Sequence, residues 1–308
     1  LSFRLPTNRL ISWAEYGSPQ GRPLIFLHGT PSSRLECAEF HSELKSRNIR
    51  LIAPDRPGFG RSEFLPGRTI GEYATDVLAL AKHLDLTKYS VMGGSGGGPY
   101  ALACARYLQP EDGLQGVCVF AGMSPYECDL KGMSWQTSFT LGMANWTPRI
   151  LRFVMRLALP TPTGDFTGPI DQWTVDPSAH EAAKKKTEAF VKTLKGREKE
   201  VMGKPGVADY MAAATVESLI QGIDPYMYEA KLFAQPWDFK IEDITLASEG
   251  KGPIYLIYGT DDVNTTIHMG RWIAKRVRGS SIKEVKGETH LTLAERFVDY
   301  CDEFLQMT

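Results

Sequence analysis

The sequence predicts an α/β fold: a mostly parallel central sheet flanked by helices, with an inserted helical segment. Three observations carry this. Short continuous apolar runs at residues 24–27, 49–53, 114–121 and 254–258 each end in a loop rich in Gly, Pro or Asp, the pattern of strands buried on both faces. Segments of helical period alternate with them, which implies parallel pairing with helices on both sides of the sheet. From residue 124 to 238 the strand pattern disappears, and helical stretches with Pro/Gly joints replace it. The expected division is a core of residues 1–123 and 239–308 and a helical cap, or lid, of residues 124–238.

Taken in order, residues 3–5 and 10–16 read as a hairpin around Pro6-Thr7-Asn8-Arg9, and the turn-rich stretch 17–23 leads into the strand 24–27. The strand at 49–53 opens into a loop punctuated by Pro54, Pro57, Gly58 and Gly60. Thr69 and Glu72 form a capping box for a helix whose Ile70, Ala74, Val77, Leu80 and Leu84 share one face. Val91 and Met92 mark a further buried strand, and the Ala/Leu-rich segment after Pro99 a helix. The inserted segment is read as helices at 135–159, 180–202, 207–221 and 226–234, with a loop at 160–177. After the strand 254–258 come a helix carrying Met269, Trp272, Ile273 and Val277, a strand at 281–285, and a C-terminal helix opened by a second capping box, Thr292 and Glu295.

Size and composition set limits. A chain of 308 residues that is 43% hydrophobic has ample material for a core. The 35 basic and 36 acidic residues nearly cancel, so no global field favours nucleic acid or an anionic membrane, and recognition must be local. The expected partner is a small-molecule substrate, with a homodimer left open. Five cysteines without C-x-x-C spacing make a poor disulfide framework and favour a reducing, cytoplasmic setting. The first residues lack the apolar core of a signal peptide. The most membrane-like stretch, 135–159, is interrupted by Arg149, Arg152 and Arg156, so no stable membrane insertion is expected. Those arginines share a helix face that is read as solvated, with an acidic substrate or a membrane surface as the alternative. The inserted segment holds Trp135, Trp146, Trp173 and Trp237 and six of the ten methionines, a composition suited to adaptable apolar binding.

The chemistry converges on three residues. Gly93, Gly94, Gly96 and Gly97 surround Ser95 in a G-x-S-x-G pattern at the end of a strand, where a strained serine needs neighbours without side chains. Asp262 and His290 also follow strands, and parallel strands open their C-terminal ends on one edge. Metal and dinucleotide patterns fail on spacing. His180-Glu181 has Lys184 where H-E-x-x-H needs its second ligand, and Gly94-x-Gly96 meets Pro99 where the third glycine of G-x-G-x-x-G belongs. No cofactor or metal is expected.

With HGTP at 28–31, DRPGFGRS at 55–62, GGSGGGPYAL at 93–102, YGTDD at 258–262 and GETH at 287–290, the chain resembles the α/β-hydrolase superfamily over nearly its whole length. The resemblance implies Ser95 as nucleophile, His290 as base and Asp262 as its orienting acid, the G-x-x-D spacing from Gly259 selecting Asp262 over Asp261. It also implies backbone N–H donors from Thr30 and Gly96 as an oxyanion hole, and His28 as an anchor of its loop. Pocket candidates are His28, Gly29, Ser124, Trp135, Trp146, Tyr210 and Tyr226. The activity so implied is hydrolysis of an ester or lactone of a small to medium, largely apolar compound through an acyl-enzyme. Alternatives on the same triad are C–C bond hydrolysis, release of N-terminal proline and acyl transfer; a different class is a small-molecule receptor with slow turnover.

Overall fold

The computed structural model describes all residues, 1–308. Eight strands form one sheet in the order β1-β2-β4-β3-β5-β6-β9-β10. β1 (Ser2–Arg4) and β2 (Leu10–Gly17) are the expected hairpin. β3 (Arg22–Leu27), β4 (Ile49–Pro54), β5 (Tyr89–Gly94), β6 (Leu114–Phe120), β9 (Ile254–Gly259) and β10 (Ser281–Val285) pair in parallel. The β2–β4 pair is antiparallel. Strand order reverses between β3 and β5, where the chain goes to opposite sides for its next strands. That crevice is where parallel sheets leave room for a ligand.

Alternation along the central strands explains the unbroken apolar runs. Ile25, Leu27 and Val91 pack into a core layer with α2 (Tyr73–His83), α3 (Gly98–Tyr107) and α10 (Ile267–Arg276). Leu24, Phe26 and Met92 pack on the other face with α1 (His41–Ser46) and α12 (Phe297–Leu305). A period of two therefore buries both faces of each strand.

The segment between β6 and β9 is largely helical: α4 (Trp135–Trp146), α5 (Pro148–Ala158), α6 (Pro177–Thr193), α7 (Gly196–Met202), α8 (Val207–Ser218) and α9 (Asp224–Phe233). Three expectations need correction. The single helix expected at 135–159 breaks at Thr147, because Pro148 lacks an N–H and suits the first position of a new helix. The helix expected at 180–202 starts earlier, where the Asp176 side chain accepts from Ser178 N at 2.8 Å, and it divides before Gly196, whose φ is +52°. The loop 160–177 carries a short antiparallel ladder of β7 (Gly164–Asp165) and β8 (Thr174–Val175).

Of the two expected capping boxes, Thr69 and Glu72 exchange their bonds at 2.8 and 3.2 Å. The second forms one turn earlier: Thr289 N donates to Thr292 Oγ1 at 2.9 Å, and Thr292 N to Thr289 Oγ1 at 3.3 Å, opening α11 (His290–Leu293). Glu295 instead pairs with Arg197 and Lys204. All five cysteines are free and buried. No helix is long and apolar enough to cross a membrane.

Candidate active site

Ser95 follows β5 directly and has φ +50°, a left-handed conformation that side chains other than glycine's rarely adopt and that turns its hydroxyl out of the sheet edge. The turn is closed by glycine. A Cβ at Gly97 would stand 2.0 Å from the carbonyl oxygen of Leu27 on β3, and one at Gly93 2.3 Å from that of Gly97. Met123 N donates to Ser95 O at 3.0 Å, tying the turn to the segment after β6.

Asp262 lies three residues beyond β9, buried, and His290 opens α11 after β10. His290 Nδ1 is 2.7 Å from Asp262 Oδ2. The other carboxylate oxygen, Oδ1, accepts from the backbone N–H of Asn264 at 2.7 Å and of Thr265 at 3.0 Å. The Thr265 hydroxyl donates to Oδ2 at 3.0 Å and lies 3.0 Å from His290 Nδ1. Burial works to raise the Asp262 carboxyl, but the imidazole's charge and hydrogen bond, helped by the two amides, hold it below the ordinary carboxylate range. Burial likewise works to lower His290, and Asp262 more than offsets it, so the imidazole is raised above its ordinary value, with a smaller push from Glu36. Asp261 instead accepts from Thr260 Oγ1 at 2.8 Å and is exposed.

Ser95 and His290 line one cavity of about 600 Å³ with Gly29 and Thr30. Thr30 lies at the end of β3 and Gly96 at the end of β5, across the reversal of strand order. A Cβ on Gly96 would come within 3.3 Å of Thr30 N, so the two backbone segments meet beside Ser95. The walls of the cavity are largely apolar, with Phe26, Phe120 and Phe297 from the sheet side and Val207, Met211 and Ala214 from α8.

Of the pocket candidates, Gly29 and Tyr210 line this cavity. The others do not. Trp135 and Trp146 are 73% and 82% exposed on α4; an aromatic composition could not say which way the helix turns its stripe. Tyr226 lies on α9 and packs against α5, its hydroxyl 3.8 Å from Met155 Sδ. Ser124 is buried outside the lining. His28 is fully buried, with Nδ1 2.8 Å from Gly29 O and Nε2 accepting from Arg56 N at 3.2 Å, so it braces two loops and does not face the cavity.

Sequence reasoning missed Glu229. This α9 carboxylate is fully buried and accepts from Arg56 Nε and Nη2 at 2.7 and 2.9 Å, from Tyr100 Oη at 2.9 Å and from Thr30 Oγ1 at 2.5 Å, with Arg68 Nη2 at 3.4 Å. Burial alone would raise its pKa; the two guanidiniums, Arg56 foremost, bring it well below the ordinary range. One signal was available: Glu229 falls four residues after Pro225 and four before Phe233, a carboxylate in a buried stripe. Glu36 was also missed. Its Oε2 accepts from Gly29 N at 2.8 Å, it lines the cavity, and burial raises its carboxyl above the ordinary range despite bonds from Ser32 and Gly29.

Known proteins share part of this chain's sequence and its fold. A proline iminopeptidase from Xylella fastidiosa is 33% identical over 104 residues, 32% of this chain and 32% of that protein. The dihydrolipoyllysine-residue acetyltransferase component of an acetoin cleaving system from Pseudomonas putida is 37% identical over 98 residues, 32% of this chain and 26% of that protein. The chain thus spans about a third or less of the length of these curated relatives. An esterase from Exiguobacterium antarcticum has a similar fold, with a TM-score of 0.64 over 99% of this chain and 98% of that one at 13% identity. Residues 24–303 match the profile described as "Alpha/beta hydrolase family". From the sheet order to that match, the chain belongs to the alpha/beta hydrolase family.

Proposed function

We propose that the chain is a serine hydrolase that cleaves an ester or lactone of a small to medium, largely apolar compound through an acyl-enzyme on Ser95. The observation that carries this reading is one cavity lined by both Ser95, at φ +50°, and a His290 whose Nδ1 is 2.7 Å from Asp262 Oδ2. With Nδ1 held as donor to Asp262, the other ring nitrogen is left as the base.

In this reading Ser95 Oγ attacks the carbonyl carbon while His290 Nε2 takes its proton. The backbone N–H groups of Thr30 and Gly96 stabilise the oxyanion, and Asp262 stabilises the imidazolium. The same proton then leaves with the alcohol. Water, activated by the neutral imidazole, frees the acid and restores Ser95. The helical segment 124–238 acts as the cap: α8 supplies one wall of the cavity, limiting water and selecting apolar acyl or alcohol parts.

The test is intact-mass detection of a fluorophosphonate adduct, beside Ser95→Ala and His290→Ala, followed by a panel of esters and lactones. Stoichiometric labelling of the parent, lost in Ser95→Ala, is expected; an unlabelled, folded parent overturns the mechanism.

Glu36 favours a second reading on the same triad. It faces the cavity and forms no ion pair, so a substrate ammonium near the scissile carbonyl would supply its missing counter-charge, as in release of an N-terminal residue. Cleavage of aminoacyl arylamides that Glu36→Gln loses, while neutral esters remain substrates, would select it.

A further inference from the structure

The strongest unexplained feature lies away from the catalytic cavity. Of the fifteen exposed large apolar side chains in the molecule, seven fall between residues 135 and 157. Trp135, Phe139 and Trp146 form one stripe of α4, four and then seven residues apart. Ile150, Phe153, Val154 and Leu157 form the corresponding stripe of α5. These are not the residues that hold the hairpin in place. Ala144 and Leu151, with Met143 and Met155 beside them, point the other way and pack on Met227 and Ala230 of α9 and on Ala234 just after it. The outward face is an apolar surface in addition to a satisfied core, and contiguous exposed patches of this kind mark interaction sites.

Charge narrows the partner. Residues 135–159 contain no Asp or Glu, and Arg149, Arg152 and Arg156 flank the α5 stripe. Arg152 is taken by Asp224 at 2.8 Å, whereas Arg149 and Arg156 make no salt bridge. Lys186 adds a cation at the end of α5, its Nζ 3.4 Å from Ala158 O and Leu159 O. A second copy seated symmetrically on this face would set arginines against arginines, with no acidic residue in the hairpin to receive them. A bilayer carrying anionic headgroups meets both demands: phosphates for the arginines, and an acyl boundary for Trp, Phe and Leu.

We propose that the outward face of the α4–α5 hairpin docks reversibly on an anionic lipid bilayer. Phe153, Leu157, Trp135 and Trp146 enter the headgroup boundary while Arg149 and Arg156 stay at phosphate level. The helices lie in the interface and do not cross it; α5 has only eleven residues. This docking is independent of the chemistry at Ser95.

The test is cosedimentation of the full chain with vesicles of phosphatidylcholine alone or mixed with phosphatidylserine, read with the blue shift of tryptophan emission. The expected result is binding to mixed vesicles and much weaker binding to phosphatidylcholine. Arg149→Gln with Arg156→Gln should weaken the association about thirty-fold at low salt. Phe153→Ser with Leu157→Ser should abolish it, leaving the circular dichroism and the hydrolysis of a water-soluble ester unchanged. Failure of the parent to bind mixed vesicles, or indifference to both pairs of substitutions, overturns the proposal. A dimer by light scattering that Phe153→Ser with Leu157→Ser dissociates, with no vesicle binding, assigns the face to a second copy and also overturns it.

Discussion

Thr30 and Glu229, 199 positions apart in the chain, share a hydrogen bond of 2.5 Å, and Arg56 Nη2 donates to the same Thr30 hydroxyl at 2.7 Å. A carboxylate from the helical segment thereby fixes the loop whose backbone N–H is proposed to stabilise the oxyanion. Thr30→Val removes this tie without stranding a charge, since Glu229 keeps Arg56, Arg68 and Tyr100. Turnover should fall roughly ten-fold, the value of one well-placed hydrogen bond, with KM and the thermal midpoint nearly unchanged, as steady-state kinetics and calorimetry would show.

Glu229→Ala should behave differently, because it leaves Arg56 and Arg68 buried without their anion. Chemical denaturation should register a loss of about 3–5 kcal/mol. The Glu229 pKa is lower in the folded chain than in the unfolded one. Its contribution is therefore fully present above the ordinary value of 4.5 and is lost as pH falls towards the folded one. The substitution should therefore cost less at a pH below that value than at neutrality, as denaturation at both pH values would show.

Replacing Ser95 or His290 by Ala should each lower turnover by about 10⁶, and both together by little more, because in the proposed mechanism the two act as one unit. Asp262→Asn should lower it by about 10⁴. Additive losses in the double variant would contradict a shared step.

The acid limb of kcat/KM should report His290 and lie above the ordinary imidazole pKa, since Asp262 stabilises the charged ring. Asp262→Asn removes that charge, so the limb should move to lower pH even as the rate drops. A limb that stays in place in the variant would exclude His290 as the titrating base.

Two neighbouring glycines should separate catalysis from folding. Gly97→Ala drives a Cβ into the Leu27 carbonyl, backbone against backbone, and should destabilise by about 3 kcal/mol. Gly96→Ala meets Thr30, with its Oγ1 2.4 Å away, and should displace the oxyanion loop, reducing turnover more than stability. Thermal melts beside kinetics would distinguish them.

What the sequence revealed and what it hid have the same physical basis. Val91 and Met92 could be read as a buried strand because both faces of a central strand are apolar, and Ser95 and Asp262 because each follows such a strand; His290 follows the half-exposed edge strand β10. Direction was hidden. Nothing in the spacing of Trp135 and Trp146 says that their stripe faces solvent, whereas Tyr210, one turn into α8, faces the cavity. Long-range pairing was hidden for the same reason: Glu229 reads as one more charge on a helix until the fold brings Arg56 and Arg68 around it. The capping box lies one turn earlier than expected because Thr289, Thr292 and Glu295 all satisfy the local pattern, and only the fold brings Arg197 and Lys204 to the Glu295 carboxylate and leaves the box to the two threonines.

The five cysteines have a practical consequence. Each thiol is enclosed, and burial raises its pKa, so the nucleophilic thiolate is scarce in the native state. Alkylation therefore has to wait for an opening event. Because Cys37, Cys104, Cys118 and Cys301 are distributed over both sides of the sheet, the order in which they become modified under mild heating is a record, inscribed in the chain, of which layer separates first.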